Sequence, residues 1–343
     1  MFYRFTRKFA ALLSGALLSV SFSAVQAETI TYATWQGEAS TSVHARTLHW
    51  FADEVSKRTD GKHRVRVMWG GAAAAIDEIA SAVESQVVAA GDLVLPYHPD
   101  QFPLNNVVGF FWPQPLSPIE IGHLLENLQE TYPPFADEMK RYKMKVLGFR
   151  PLDNYGFLCT EPVTEVEGFN GKRIRSYGVA LPAVIEAMGA VPVSLSTPET
   201  YEALERAVVD CAPIEVGLGR AWEYDTVATN WMDVGLGASF GQMLVINQNV
   251  FDGLPADFQE VLVEVGSEYL KVFTDEQAKF RNEVLEDWAA RDDFQIVDFP
   301  KEEFLSVTEN DPGVQAVRQR WIDTANDLGV PAEEIAAELT YDR

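Results

Sequence analysis

Basic residues are scarce in this chain. Its 27 Lys and Arg stand against 51 Asp and Glu, giving a formal net charge of -24. A protein that grips a polyanion needs a basic face, so nucleic acid is excluded as a partner. Signatures of catalysis are missing too. The five histidines, His44, His49, His63, His98 and His123, form no H-E-x-x-H zinc motif. The step from His44 to His49 is also off the spacing that places two metal ligands on one helix face. There is no G-x-S-x-G elbow, no glycine loop to cradle a phosphate, and no histidine near either cysteine in sequence. The sequence therefore supports no metal site, no cofactor and no catalytic residue.

Long apolar runs are absent after the first 27 residues, so nothing in the remainder reads as a membrane span. Those first residues have a different character. Arg4, Arg7 and Lys8 form a basic leader, Phe9 to Val25 is apolar and small, and Val25-Gln26-Ala27 puts small residues at the two cleavage positions. This is the pattern of a secretory signal peptide over residues 1–27, with no cysteine at the cleavage point to carry a lipid. Removing it takes away three cations and no anion, moving the charge from -24 to -27. The expected product is an exported, periplasmic chain of about 316 residues, enough for two α/β lobes. Cysteine is limited to Cys159 and Cys211, both in apolar, strand-like settings. Export would allow them to pair, but nothing in the sequence places their strands side by side, so two buried thiols are the expectation.

Against this acidic background, Gly171-Lys172-Arg173-Ile174-Arg175-Ser176-Tyr177 gathers three cations within four residues. Strand alternation sends Arg173 and Arg175 to one face, Lys172 and Ile174 to the other. The next segment is too apolar for the surface: Val179 to Met188 reads as a helix closed by Gly189, and Ala190 to Val193 as a short buried strand. Ser196-Thr197-Pro198-Glu199 then opens a second helix with a serine cap, a proline in the first turn and a glutamate reaching back. Tyr201, Leu204 and Val208 keep helical spacing, and Val208-Val209-Asp210 leads into another strand. The unit is strand, helix, strand, helix, strand, with a planar cation at a strand end.

The run G-K-R-I-R-S, then A-M-G-A-V-P-V-S-L, P-E-T-Y-E-A-L and V-V-D, resembles the middle of the solute-binding proteins of TRAP transporters, the DctP type. The resemblance extends loosely over almost the whole chain after the leader. It implies a two-lobed periplasmic binding protein fold of the α/β class, with a ligand cleft between the lobes and a long helix spanning both. It further implies that Arg175 grips the anionic group of a small organic ligand and that the partners are membrane permease subunits. A strongly acidic protein still binds an anion where a few cations are sheltered in one cleft.

Upstream, three strand-like segments end in Trp35, Trp69 and Tyr97. In a wound sheet, ligands sit off the carboxyl ends of strands, so the three aromatics point to a shared crevice. The resemblance places ligand contacts at Trp35 and Tyr97, where relatives often carry polar or acidic residues. Aromatics there suit a ligand with an apolar or cationic body. Relatives also place a second cation ahead of the basic strand. The aligned position here is Tyr155, with Arg150 five residues earlier, and both are candidates. The family's glycine-and-carboxamide run is replaced by Asp210-Cys211-Ala212-Pro213-Ile214-Glu215, which leaves Glu215 as a candidate and the ligand unassigned. Phe240 is a candidate cleft wall.

The expected organisation is a first lobe over 28–151, with the chain returning around 241–290, a second lobe over 152–240, and C-terminal helices over 291–343. The expected function is capture of a small organic anion, a carboxylate or alternatively a sulfonate or zwitterion, by a monomeric protein with no enzymatic activity. An exported hydrolase with a spatially assembled site is the alternative.

Overall fold

The computed structural model describes Met1, residues 27–39 and residues 42–341. The expected leader and its cleavage point therefore lie outside the described residues, apart from Met1 and Ala27. The side chain of Phe240 also lies outside them.

In chain order, β1 (Thr29–Ala33), α1 (Val43–Arg58), β2 (Arg64–Met68), α2 (Ile79–Glu84) and β3 (Ala90–Leu93) form a wound unit. Then come α3 (Val107–Phe110), α4 (Pro118–Thr131), α5 (Pro133–Arg141) and the long β4 (Met144–Cys159). The second unit is β5 (Arg173–Ser176), α6 (Ala180–Ala187), β6 (Val191–Ser194), α7 (Thr197–Glu205) and β7 (Cys211–Glu215). After α8 (Val216–Ala221), the chain crosses back along β8 (Asn230–Asn247) into α9 (Gln248–Gly253) and α10 (Ala256–Ala290). It finishes with β9 (Gln295–Val297), α11 (Lys301–Glu309), α12 (Pro312–Asp327) and α13 (Ala332–Glu338).

One sheet holds all nine strands in the order β2-β1-β3-β8-β4-β7-β5-β6, with β9 on β8. Its two wings are parallel, β2-β1-β3 on one side and β7-β5-β6 on the other. Between them β4 and β8 pair antiparallel from Met144–Asn247 to Cys159–Asn230, with register shifts between Val146 and Gly148 and again near Arg150, Leu152 and Tyr155. The two long strands thus run through both halves of the molecule, and three of the four shifts fall where one half gives way to the other.

Local sequence explains most of these elements. Ser117 and Ser196 each form a capping box with the glutamate three residues on, fixing the starts of α4 and α7. Val43, Thr47, Phe51 and Val55 make one buried face of α1. The 35 residues of α10 pack on α1, β4 and α8, so this helix, about 52 Å long at 1.5 Å per residue, spans both halves. Its close seat on β4 depends on two glycines. A Cβ on Gly266 would stand 2.1 Å from the Leu147 carbonyl oxygen, and one on Gly148 would stand 2.6 Å from that of Gly266.

Three expectations are corrected. The segment from Val191 is not a buried strand but an edge strand with Val191 49% exposed; Pro192 has no N–H to give a further neighbour, which suits the edge. The helix predicted by the spacing of Ile76, Ile79, Val83 and Val87 is shorter in the structure, because Ala72 to Ala74 form bends, Ile76 lies in a turn and α2 runs only from Ile79 to Glu84. The two cysteines are not free thiols: Cys159 and Cys211 face each other across β4 and β7, with Cα atoms 4.0 Å apart, and are joined as a disulfide. Only the pairing of those two strands creates that adjacency, and no local signal encodes it.

Candidate functional site

The basic strand separates its two arginines by their position along it. Arg173, at the exposed start of β5, spends its guanidinium on Asp210, at 2.7 Å for Nη2 and 3.2 Å for Nε. Arg175 lies two residues on, between β6 and β7, and is 1% exposed. Its Nε donates to the Leu195 carbonyl at 3.2 Å and its Nη1 to the Pro213 carbonyl at 3.4 Å. Nη2 donates to the Thr197 hydroxyl at 3.0 Å and to the Tyr97 hydroxyl oxygen at 3.2 Å, while the ring of Tyr177 stacks 4.3 Å from the guanidinium carbon. Burial works against the charge; the oxygens of Tyr97, Tyr224, Tyr177 and Tyr155 work for it, and the net shift is upward.

Tyr97 joins the two halves. It follows β3 in a short 3-10 turn rather than ending a strand, and its hydroxyl oxygen also accepts the Thr197 N–H at 3.2 Å. That N–H belongs to the first residue of α7, where helical geometry provides no internal acceptor. Two donors from the second half therefore converge on one phenol oxygen from the first.

In front of this cluster lies an open crevice of about 890 Å³. Trp35 and Tyr97 line it, as expected, together with Tyr177, Leu195, Ser196 and Trp222. Trp35 stacks on Trp222 with ring centroids 5.6 Å apart and planes 18° apart. No sequence signal points to Trp222. It sits just past the end of α8, in no hydrophobic period, and only the fold carries it opposite Trp35. For Tyr177 a signal exists: it stands two residues beyond Arg175, in the same alternation.

The remaining candidates fall elsewhere. Trp69 is half-buried against His49, centroids 4.9 Å apart, and does not line the crevice; Gly70 and Gly71 do. Arg150 is fully buried inside the first half and is paired with Asp92 at 2.9 Å. Asp92 also accepts from Tyr32 and Thr34, each at 2.6 Å, so this cation is already balanced within the protein. Tyr155 is 2% exposed, packs on Trp112 and shares a hydrogen bond with Tyr177, one layer behind the crevice wall.

Glu215 caps α8, accepting the Gly217 N–H at 2.8 Å and the Leu218 N–H at 2.6 Å. Burial, then nearby Asp153, pushes its carboxyl up to about 8 against the pull of those N–H groups and Arg281. An acid with a raised pKa holds its proton when folded and releases it on unfolding. Stability should therefore fall as pH rises from about 4.5 to about 8 and level off above, and Asp153, also raised by burial, acts with the same sign. Urea midpoints measured across that window should show a negative slope that flattens in Glu215→Gln. An unchanged slope in the variant would remove Glu215 as its source.

Comparison with known proteins gives a consistent picture. Residues 34–310 match the family described as bacterial extracellular solute-binding protein, family 7 (DctP). A solute-binding protein of Sulfitobacter sp. strain NAS-14.1 is 22% identical over 273 residues, covering 77% of this chain and 80% of that one. A TRAP periplasmic solute-binding protein from Bordetella bronchiseptica, with bound (R)- and (S)-mandelate, superposes with a TM-score of 0.76 at 21% identity. It covers 90% of this chain and 96% of that one. DctP6, a Bordetella pertussis extracytoplasmic solute receptor binding pyroglutamic acid, gives a TM-score of 0.77 at 17% identity, covering 90% and 99%. At these identities the structural likeness is one of fold: two lobes, a shared sheet and a cleft between them.

Proposed function

We propose, from the premise that this chain belongs to the DctP family of bacterial extracellular solute-binding proteins, that its crevice captures a small organic acid with a single anionic group through Arg175. The closed protein then delivers that acid to the membrane subunits of a TRAP transporter. Family membership makes the chain a solute receptor and not an enzyme, which sets aside the exported hydrolase.

One observation carries the reading. Among the described residues three arginines are nearly or wholly buried: Arg150, Arg175 and Arg318, at 0%, 1% and 3% exposure. Arg150 is paired with Asp92 and Arg318 with Glu309. Arg175 has no carboxylate within ion-pair distance among the described residues, only hydroxyls and backbone carbonyls. A buried cation without an anion is costly unless an anion completes it. A ligand carboxylate or sulfonate oxygen in place of the Tyr97 hydroxyl would accept from Arg175 Nη2 and the Thr197 N–H together. The ligand carries one anionic group on this reading, because Arg150 is already balanced by Asp92. Mandelate and pyroglutamate, held by the Bordetella proteins, each carry one carboxylate.

The lobes divide as 28–151 with the return at 241–290, and 152–240, with the helices from 291 onward packed on both. They hinge where β4 and β8 lose register. The leader is cleaved after Ala27 and the monomer works in the periplasm; no helix of the described residues is long and apolar enough to cross a membrane.

A thermal-shift panel of monocarboxylates, sulfonates and dicarboxylates tests the reading. At least one compound with a single anionic group should raise the melting temperature and be recovered unchanged by mass spectrometry, with dianions inactive. A ligand at one hundred times its Kd stabilises by about 2.7 kcal/mol, which is readily seen. Chemical conversion of the bound compound, or a response to dianions alone, would contradict it.

A further inference from the structure

We infer that the captured acid is a zwitterion: a carboxylate on Arg175 joined to a quaternary ammonium group held among the aromatic faces of the crevice. The inference rests on the reading of the crevice as a carboxylate site and adds the chemistry of the ligand's other end.

The distribution of charge around the crevice is asymmetric. The buried guanidinium of Arg175 does not itself line it but touches Tyr97, Tyr177 and Leu195, which do. The charged side chains on the lining itself are Asp77 and Glu199, and no lysine, arginine or histidine lines it among the described residues. Glu199 is firmly ionised, since its capping bonds to the Ser196 hydroxyl and N–H hold its carboxyl below the ordinary range. An anion with a neutral body finds nothing complementary in that negative rim. A ligand ending in a fixed positive charge does.

The walls point the same way. Trp35, Trp222 and Tyr97 present rings to the same crevice, and the face of an indole attracts a cation through its quadrupole. A quaternary ammonium has no N–H, so rings and apolar contacts satisfy it where hydrogen-bond acceptors are not required. Trp35 supplies an independent sign of a ligand. It is 5% exposed, it lines the crevice, and its indole N–H has no hydrogen-bond partner. A buried donor left unmade is unfavourable, and an oxygen arriving with the ligand would satisfy it. In this conformation Trp35 stacks directly on Trp222, so the two indoles close on each other across the space a substituted ammonium would part.

The decisive comparison separates charge from shape. Trimethylammonioacetate and 3,3-dimethylbutanoate share a carboxylate and a compact branched end; they differ in nitrogen against carbon, and so in the positive charge. Calorimetric titration with this pair, and with homologous pairs having one or two further methylene groups, should show the ammonium member binding at least tenfold tighter. Trp35→Leu and Trp222→Leu should bring the two members of each pair to within about twofold of one another, both bound more weakly than by the unaltered protein. A carbon isostere that binds as tightly as its ammonium partner overturns the inference. So does a series that fails to bind when benzoate or another carboxylate succeeds, and both results leave the carboxylate reading standing. Carboxylate affinity left unchanged by Arg175→Gln would instead overturn the underlying reading.

Discussion

Arg175→Gln should weaken ligand binding by roughly 30-fold to a few thousand-fold while leaving the empty protein folded. The range corresponds to the roughly 2 to 5 kcal/mol typically lost when one partner of a buried, charge-assisted pair is truncated. Glutamine keeps a donor for one of the carbonyls that Arg175 serves, Leu195 or Pro213, but loses the charge and the fork. The cost to the ligand-free fold should be small, because the same change removes a buried cation that has no carboxylate beside it among the described residues. Arg175→Lys separates charge from geometry. It keeps the positive charge without the planar pair of donors and should bind with intermediate affinity. Isothermal titration of the three proteins with a carboxylate from the panel provides the check. Equal affinities would mean that the anion is held elsewhere.

Breaking the Cys159–Cys211 disulfide should cost about 4 kcal/mol of stability. The bond closes a loop with a sequence separation of 52, and the loop-closure entropy for a ring of that size gives this figure. In a chain this long the melting temperature should drop by roughly 5–10 °C. The loop contains β5, α6, β6 and α7, and with them Arg175 and Thr197, so the bond closes the segment that carries the binding residues by tying β7 to β4. Ligand affinity below the transition should nevertheless change little in Cys159→Ala/Cys211→Ala, since β4 and β7 remain paired without it. Calorimetric melts with and without reductant give the measurement. Identical melts would show that the bond does not form in the exported protein.

The parts of this molecule that are legible in sequence are those written locally. Capping boxes at Ser117 and Ser196 announce two helices, the spacing from Val43 to Val55 announces the buried face of a third, and the apolar period after Leu254 announces the spine. Arg175 is legible because its strand is basic in an acidic chain and its motif resembles a family. Much of what is not legible depends on which strands become neighbours. The resemblance makes Arg150 a ligand candidate, and the antiparallel course of β4 beside β8, with β3 one strand further, brings it to Asp92. Glu215 is different, for its carboxyl is taken up locally by the Gly217 and Leu218 N–H groups at the start of the next helix. Cys159 and Cys211 become partners for the same topological reason. Trp222 carries no pattern at all, because a single aromatic after a six-residue helix has no period to join.

A crystal structure of the protein with a bound carboxylate measures the central relation directly. The result expected is a carboxylate oxygen within about 3.2 Å of both Arg175 Nη2 and the Thr197 amide nitrogen, with the Tyr97 oxygen moved from between them. A ligand seated in the crevice while Arg175 Nη2 and the Thr197 N–H still donate to Tyr97 would contradict it.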